Sequence, residues 1–106
     1  MESIEQAIFE MIGHTGQAKS LLMTTIQAVE AGDFSQVDTN LATAHQLQIK
    51  AQQAHLRLAT DKSNSIPLNL ILMLAHAETH LMLTEQLFDL FPGILKTNQR
   101  LTALEN

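Results

Sequence analysis

Through the first thirty residues the apolar and small side chains fall at Ile4, Ile8, Met11, Thr15, Ala18, Leu22, Thr25 and Val29, alternately four and three apart. That is one helix face repeating like a heptad seam, and it is incompatible with the period of two that a half-buried strand requires. The spacing predicts one long helix. It should end at Gly32, where a left-handed residue can close the last turn, with Asp33 as N-cap of a second helix and Gln36 at the capping-box position. So short a connection makes the two helices antiparallel neighbours.

The second helix continues the pattern with Phe34, Val37, Leu41, Ala44, Gln48, Ala51, His55 and Leu58, two of them polar on the seam. Asp61-Lys62-Ser63-Asn64-Ser65 has the composition of a loop, and Pro67 suits the first turn of a third helix, where its missing amide costs nothing. Pro92-Gly93 should break that helix near Phe91, leaving a tail that forms a short fourth helix or frays. The expected fold is an all-α antiparallel three-helix bundle over about 3–31, 33–60 and 66–91, with a short C-terminal extension. With 106 residues the chain is expected to be one domain, 1–106, and is too short for a two-domain enzyme.

Composition narrows the chemistry. The absence of cysteine removes disulfides, a thiolate nucleophile and thiolate metal sites. A net charge of −5 argues against nucleic acid as a partner, and 45% hydrophobic against 16% charged residues argues against disorder. The longest apolar run, Leu70 to Ala75, is far short of the roughly 20 residues of a membrane span, and no signal-like segment opens the chain, so a cytoplasmic protein is expected. That same run is apolar all round a helix, whereas a surface helix is apolar on one stripe. A homo-oligomer that buries a second side is therefore expected, with helix three or its neighbours facing the axis.

What remains for chemistry is five histidines and the carboxylates. His76 and His80 stand i and i+4 in His76-Ala77-Glu78-Thr79-His80, sharing a helix face directly after the apolar run. With Asn69 and Thr84 they form a polar stripe interrupted only by Met73. Two hydrogen-bonded interface histidines would explain it, as would metal ligation or nucleophilic chemistry. Zincin-type hydrolysis is excluded, because Ala77 stands where the glutamate belongs and Glu78 lies about 200° round the helix from His76. A two-histidine metal site would need His45, His55 or a neighbouring subunit to supply its third ligand, since Asp89 is too far along and Glu85 points elsewhere. His14, between Gly13 and Gly16, reads as an exposed residue at a close helix–helix approach. Met11, Met23, Met73 and Met82 read as core filler.

Three segments resemble the lactose/cellobiose (N,N′-diacetylchitobiose) class of enzyme IIA in the bacterial sugar phosphotransferase system. They are Gly13-His14-Thr15-Gly16-Gln17-Ala18-Lys19-Ser20, Glu30-Ala31-Gly32-Asp33-Phe34 and Leu74-Ala75-His76-Ala77-Glu78-Thr79-His80-Leu81-Met82. The last is the most specific, since the family reads His-Ala-Gln-Asp-His-Leu-Met there. The resemblance covers nearly the whole chain. It implies a three-helix bundle assembled as a homotrimer, and a phosphotransferase component whose phosphorylated residue is His76.

By the same resemblance, a ring nitrogen of neutral His76, Nε2, attacks the phosphohistidine of the histidine-containing phosphocarrier protein and passes the group to a cysteine of the IIB component. The membrane IIC component would be served only indirectly, for uptake of a lactose/cellobiose-type disaccharide. The chemistry is consistent, because an imidazole is ordinarily a neutral nucleophile at cell pH and His80 can hydrogen-bond the phosphoryl oxygens. The acceptor thiol would be the partner's.

Two departures bear on the site. Where the family carries the aspartate associated with an axial divalent metal this chain has Thr79, a poor ligand for a hard cation, so no metal or other cofactor is expected. Where the family carries glutamine this chain has Glu78, and a carboxylate about 4 Å from a phosphohistidine costs on the order of 4 kcal/mol at an effective dielectric of 20. Either Glu78 points away or it tunes the phosphoryl potential. In helix two the family shows Ala-His followed by Gln-Thr, against Ala51-Gln52 and His55-Leu56 here, so the polar residues have changed places. Two other readings compete: a divergent non-catalytic helical interaction module of the same fold, and a small metal-binding bundle built on His76 and His80.

Overall fold

A computed structural model describes residues 3–60 and 65–106. The expected loop at 61–65 lies outside the described residues except for Ser65. Helix α1 runs Ile4–Glu30, opened by Ser3, whose hydroxyl accepts a hydrogen bond from the Gln6 amide and satisfies one of the free donors of the first turn. Seven of its eight seam residues are buried, and Ile4 is partly so.

Its end is built as the sequence predicts. Gly32 has φ +86°, the Gly32 amide donates to the Val29 carbonyl and the Asp33 amide to the Ala28 carbonyl, the paired bonds of a Schellman turn. The next start differs from expectation. Asp33 does not cap α2: its Oδ1 accepts from both the amide and the hydroxyl of Ser35, closing a local turn, and α2 begins four residues later, spanning Val37–Thr60. A short acidic side chain that can bond the backbone two residues on chose the turn over the cap.

Helix α3 spans Leu68–Glu105 and corrects the expected break at Pro92-Gly93: the tail is neither frayed nor a fourth helix but part of α3. Its 38 residues make a rod of about 57 Å at 1.5 Å per residue, which sets the 60 Å long axis of the molecule. An interior proline removes one hydrogen bond and costs about 3 kcal/mol. On either side of it Leu87, Phe88, Phe91, Ile94 and Leu95 pack with Leu22, Ile26, Val29 and Val37, and Phe91 is fully buried. Burying one large apolar side chain contributes about 1.5–3 kcal/mol, so several along one face outweigh the proline.

The helices run up, down and up, with α1 in the middle. It packs extensively on both α2 and α3, whereas the backbones of those two approach each other less closely. The core falls into two clusters. One gathers Ile8, Met11, Ala51, Ala54, Leu70, Ala77 and Leu81 at the end where α1 and α3 begin; the other surrounds Phe91 near the α1–α2 turn. Buried Thr15, Gln48 and Thr84 are polar members of the interior from α1, α2 and α3 in turn.

Much of α3 is left uncovered. Leu68, Leu72, Met82, Leu83 and Leu90 are each more than half exposed, with Ile71 close behind. Met82 and Met23 are therefore surface residues and not core filler, whereas Met11 is fully buried and Met73 partly. Gly13 and Gly16 also depart from expectation, since a Cβ at either would meet nothing within 4 Å; they stand on the open side of α1, not at a close helix approach. His14 between them is half-buried, its Nδ1 enclosed without a hydrogen-bond partner.

Candidate functional site

The buried stripe of α3 passes through Leu70, Ala77, Leu81 and Thr84 and faces α1. At 100° per residue, His76 and His80 lie on one flank of that stripe and Glu78 and Glu85 on the other. The structure separates the two pairs accordingly. The rings of His76 and His80 meet each other, centroids 4.3 Å apart and planes tilted by 50°. His76 is exposed and His80 half-buried, and of the other two members of the polar stripe Thr84 is buried and Asn69 exposed.

On the opposite flank α2 supplies partners. His55 Nε2 lies 2.8 Å from Glu78 Oε2, and since an ionised carboxylate only accepts, the ring nitrogen is the donor. Gln52 donates to Glu85 Oε1 at 3.0 Å, and Gln48 donates to the Leu81 carbonyl at 3.2 Å. Of the two possibilities for Glu78, its carboxylate is turned toward α2, away from the histidine pair. Two positions that set this chain apart in the sequence, His55 and Glu78, thus meet in space. Their pairing was not legible from either motif alone, because nothing in the sequence says which turn of α2 opposes which turn of α3.

The remaining histidines stand elsewhere. His45 is exposed and stacked on Phe88, centroids 4.3 Å apart and planes within 20°. Neither it nor His55 joins His76 and His80 as a third ligand, and among the described residues no group of three or more His, Asp or Glu side chains could hold a metal ion. The Thr79 hydroxyl, at the place associated with a divalent ion, donates to the Ala75 carbonyl at 2.9 Å within its own helix. A neutral hydroxyl so engaged does not suit a hard cation.

The site thus holds an imidazole open to solvent and a second imidazole in ring contact with it, and among the described residues no acid or base engages either of them.

The comparisons with known proteins agree on the class. Residues 6–99 match the family model of the PTS system, lactose/cellobiose specific IIA subunit. The chain belongs to this family, and so to the phosphocarriers of a sugar phosphotransferase system. It is 32% identical to the cellobiose-specific EIIA component of Lactococcus lactis subsp. lactis over 86% of this chain and 78% of that one. It is 31% identical to the oligo-beta-mannoside-specific EIIA component of Bacillus subtilis over 86% and 83%, and 27% identical to the lactose-specific EIIA component of Streptococcus mutans over 87% and 88%. No solved structure matches the chain with significance. Among the described residues no helix is long and apolar enough to cross a membrane.

Proposed function

We propose that this chain is a cytoplasmic phosphocarrier of a lactose/cellobiose-type phosphotransferase system that carries its phosphoryl group on His76. The observation that carries the reading is the solvent-open His76 ring in contact with His80. In the first step the Nε2 lone pair of neutral His76 attacks the phosphorus of the phosphohistidine on the histidine-containing carrier protein. The new N–P bond forms as the old one breaks, and the carrier's ring nitrogen keeps the electron pair. In the second step a cysteine thiolate of the IIB component attacks the same phosphorus and His76 leaves as neutral imidazole. His80 donates a hydrogen bond to the phosphoryl oxygens throughout, and catalysis is otherwise positioning.

Assembly as a homotrimer is part of the same proposal, with residues 1–106 as one domain. It is supported by the apolar strip of Leu68, Leu72 and Leu83 left exposed on α3, at whose edge His76 stands. Uptake of the sugar would then be completed by the membrane IIC component, with a disaccharide of the lactose/cellobiose type as cargo.

The test is incubation with phosphoenolpyruvate, enzyme I and the carrier protein. The expected result is one phosphate per chain that moves on to the IIB thiol when that partner is added; a chain that takes no phosphate contradicts the reading.

A further inference from the structure

The flank of α3 that faces α2 carries two carboxylates, Glu78 and Glu85, one on each side of Leu81. Each is met by a donor from α2: His55 Nε2 at 2.8 Å from Glu78, and Gln52 Nε2 at 3.0 Å from Glu85. The donors stand at successive turns of α2, continuing the row begun by Gln48 on the Leu81 carbonyl. These polar links connect α2 and α3 directly along this stretch, beside the core that Ala51 and Ala54 share with Ala77 and Leu81.

The Glu78–His55 link has a consequence for the other flank. Glu78 is two residues from His76 in the chain, and its side chain is half-exposed, so without a partner its carboxylate would be free to swing over the solvent-facing side of the helix. A phosphoryl group on His76 is strongly negative, and a like charge ranging nearby opposes its arrival. With the carboxylate tied to His55 the charge is held against α2. The tie does not depend on the charge of the imidazole, since Nε2–H donates in both the neutral tautomer that carries it and the protonated ring.

We infer that His55 is a positioning residue for phosphoryl acceptance: it holds the Glu78 carboxylate against α2 and keeps that charge away from His76. This rests on the reading of His76 as the phosphoryl acceptor. His55 touches neither the acceptor nor its neighbour His80; it acts through Glu78 alone.

The experiment is the initial rate at which the full chain takes phosphate from the phosphorylated carrier protein, compared among wild type, His55→Ala, His55→Gln and the double variant His55→Ala/Glu78→Gln. Freeing Glu78 in His55→Ala should slow acceptance on the order of tenfold, the effect of one unanchored like charge near the reacting group. Removing that charge in the double variant should restore the rate, and His55→Gln, which keeps an N–H donor, should stay near wild type. A merely structural role for His55 would not be rescued by changing Glu78. An unchanged rate in His55→Ala, or a double variant as slow as His55→Ala, overturns the inference while leaving His76 as acceptor. A wild type that takes no phosphate overturns both. Should His55→Ala fail to fold, His55→Leu takes its place: slow acceptance restored by adding Glu78→Gln supports the inference, and slow acceptance that Glu78→Gln does not restore overturns it.

Discussion

The ring of His80 lies against the ring of His76, centroids 4.3 Å apart with planes tilted by 50°, one helical turn along α3. The contact brings an N–H donor beside the proposed phosphoryl acceptor and, among the described residues, leaves its nucleophilic nitrogen outside any hydrogen bond. A donor that strengthens as negative charge arrives is typically worth a factor of about ten to a hundred in rate. His80→Ala should therefore retain the helical fold and slow phosphoryl acceptance by about ten- to hundredfold, read from single-turnover rates. A variant as fast as wild type would remove His80 from the mechanism.

Two interior hydroxyls among the described residues have no partner. Thr25, Thr43, Thr60 and Thr79 each bond the carbonyl four residues back, but Thr15 and Thr84 are fully buried and their Oγ1 atoms make no hydrogen bond. Replacing an unpaired buried hydroxyl with a methyl of the same shape removes a desolvation cost of about 1–3 kcal/mol. Thr84→Val and Thr15→Val should each be neutral to stabilising, by about 1 kcal/mol, in urea unfolding. Destabilisation of that size by either change would show that its hydroxyl is bonded in solution.

Pro92 sits inside α3 and withholds the donor that the Phe88 carbonyl would otherwise receive. Packing of Phe91 and its neighbours carries the helix across it, so removing the proline should add what it now subtracts. Pro92→Ala is expected to raise stability by about 1–3 kcal/mol with helical content unchanged or slightly higher. A fall in the unfolding midpoint would mean that the proline is required by the packing around Phe91.

The turn between α1 and α2 has its own pH signature. The Ser35 hydroxyl, and after it the Ser35 amide, donate to the Asp33 carboxylate and hold its pKa below the ordinary 3.8. A folded-state pKa lower than the unfolded one means the turn's contribution is complete above that ordinary value and is lost as pH falls through the folded pKa. An NMR titration of the Asp33 carboxyl should show its midpoint below 3.8, moving back toward it in Ser35→Ala. A midpoint at or above 3.8 would contradict the bonded turn.

What the sequence made legible follows the physics of each element. The seam of α1 was readable residue by residue because a four-three rhythm has only one helical solution, and the Gly32 turn because a left-handed position selects glycine. Pro92 misled because the local cost of a proline can be read from the chain, while the compensating burial of Phe91 against Leu22 and Val29 is tertiary. Asp33 misled because cap and local turn use the same side chain, and the choice is decided by Ser35 two residues on.

At the site, the His76–His80 pair was visible from spacing alone. The exposure of His76 was not, since it depends on α2 standing on the opposite flank of α3. The partner of Glu78 was invisible for the same reason: the pairing of His55 with it is set by the relative height at which α2 and α3 are held against α1.

The most direct measurement is the location of the phosphate. Wild type and His76→Ala, both checked for helical content, are incubated with phosphoenolpyruvate, enzyme I and the carrier protein and analysed intact and as peptides by mass spectrometry under alkaline conditions that preserve phosphohistidine. The expected result is a single phosphate on the peptide containing His76 in the wild type and none in the variant. Phosphate on another histidine, or equal phosphorylation of the folded His76→Ala chain, would contradict His76 as the carrier.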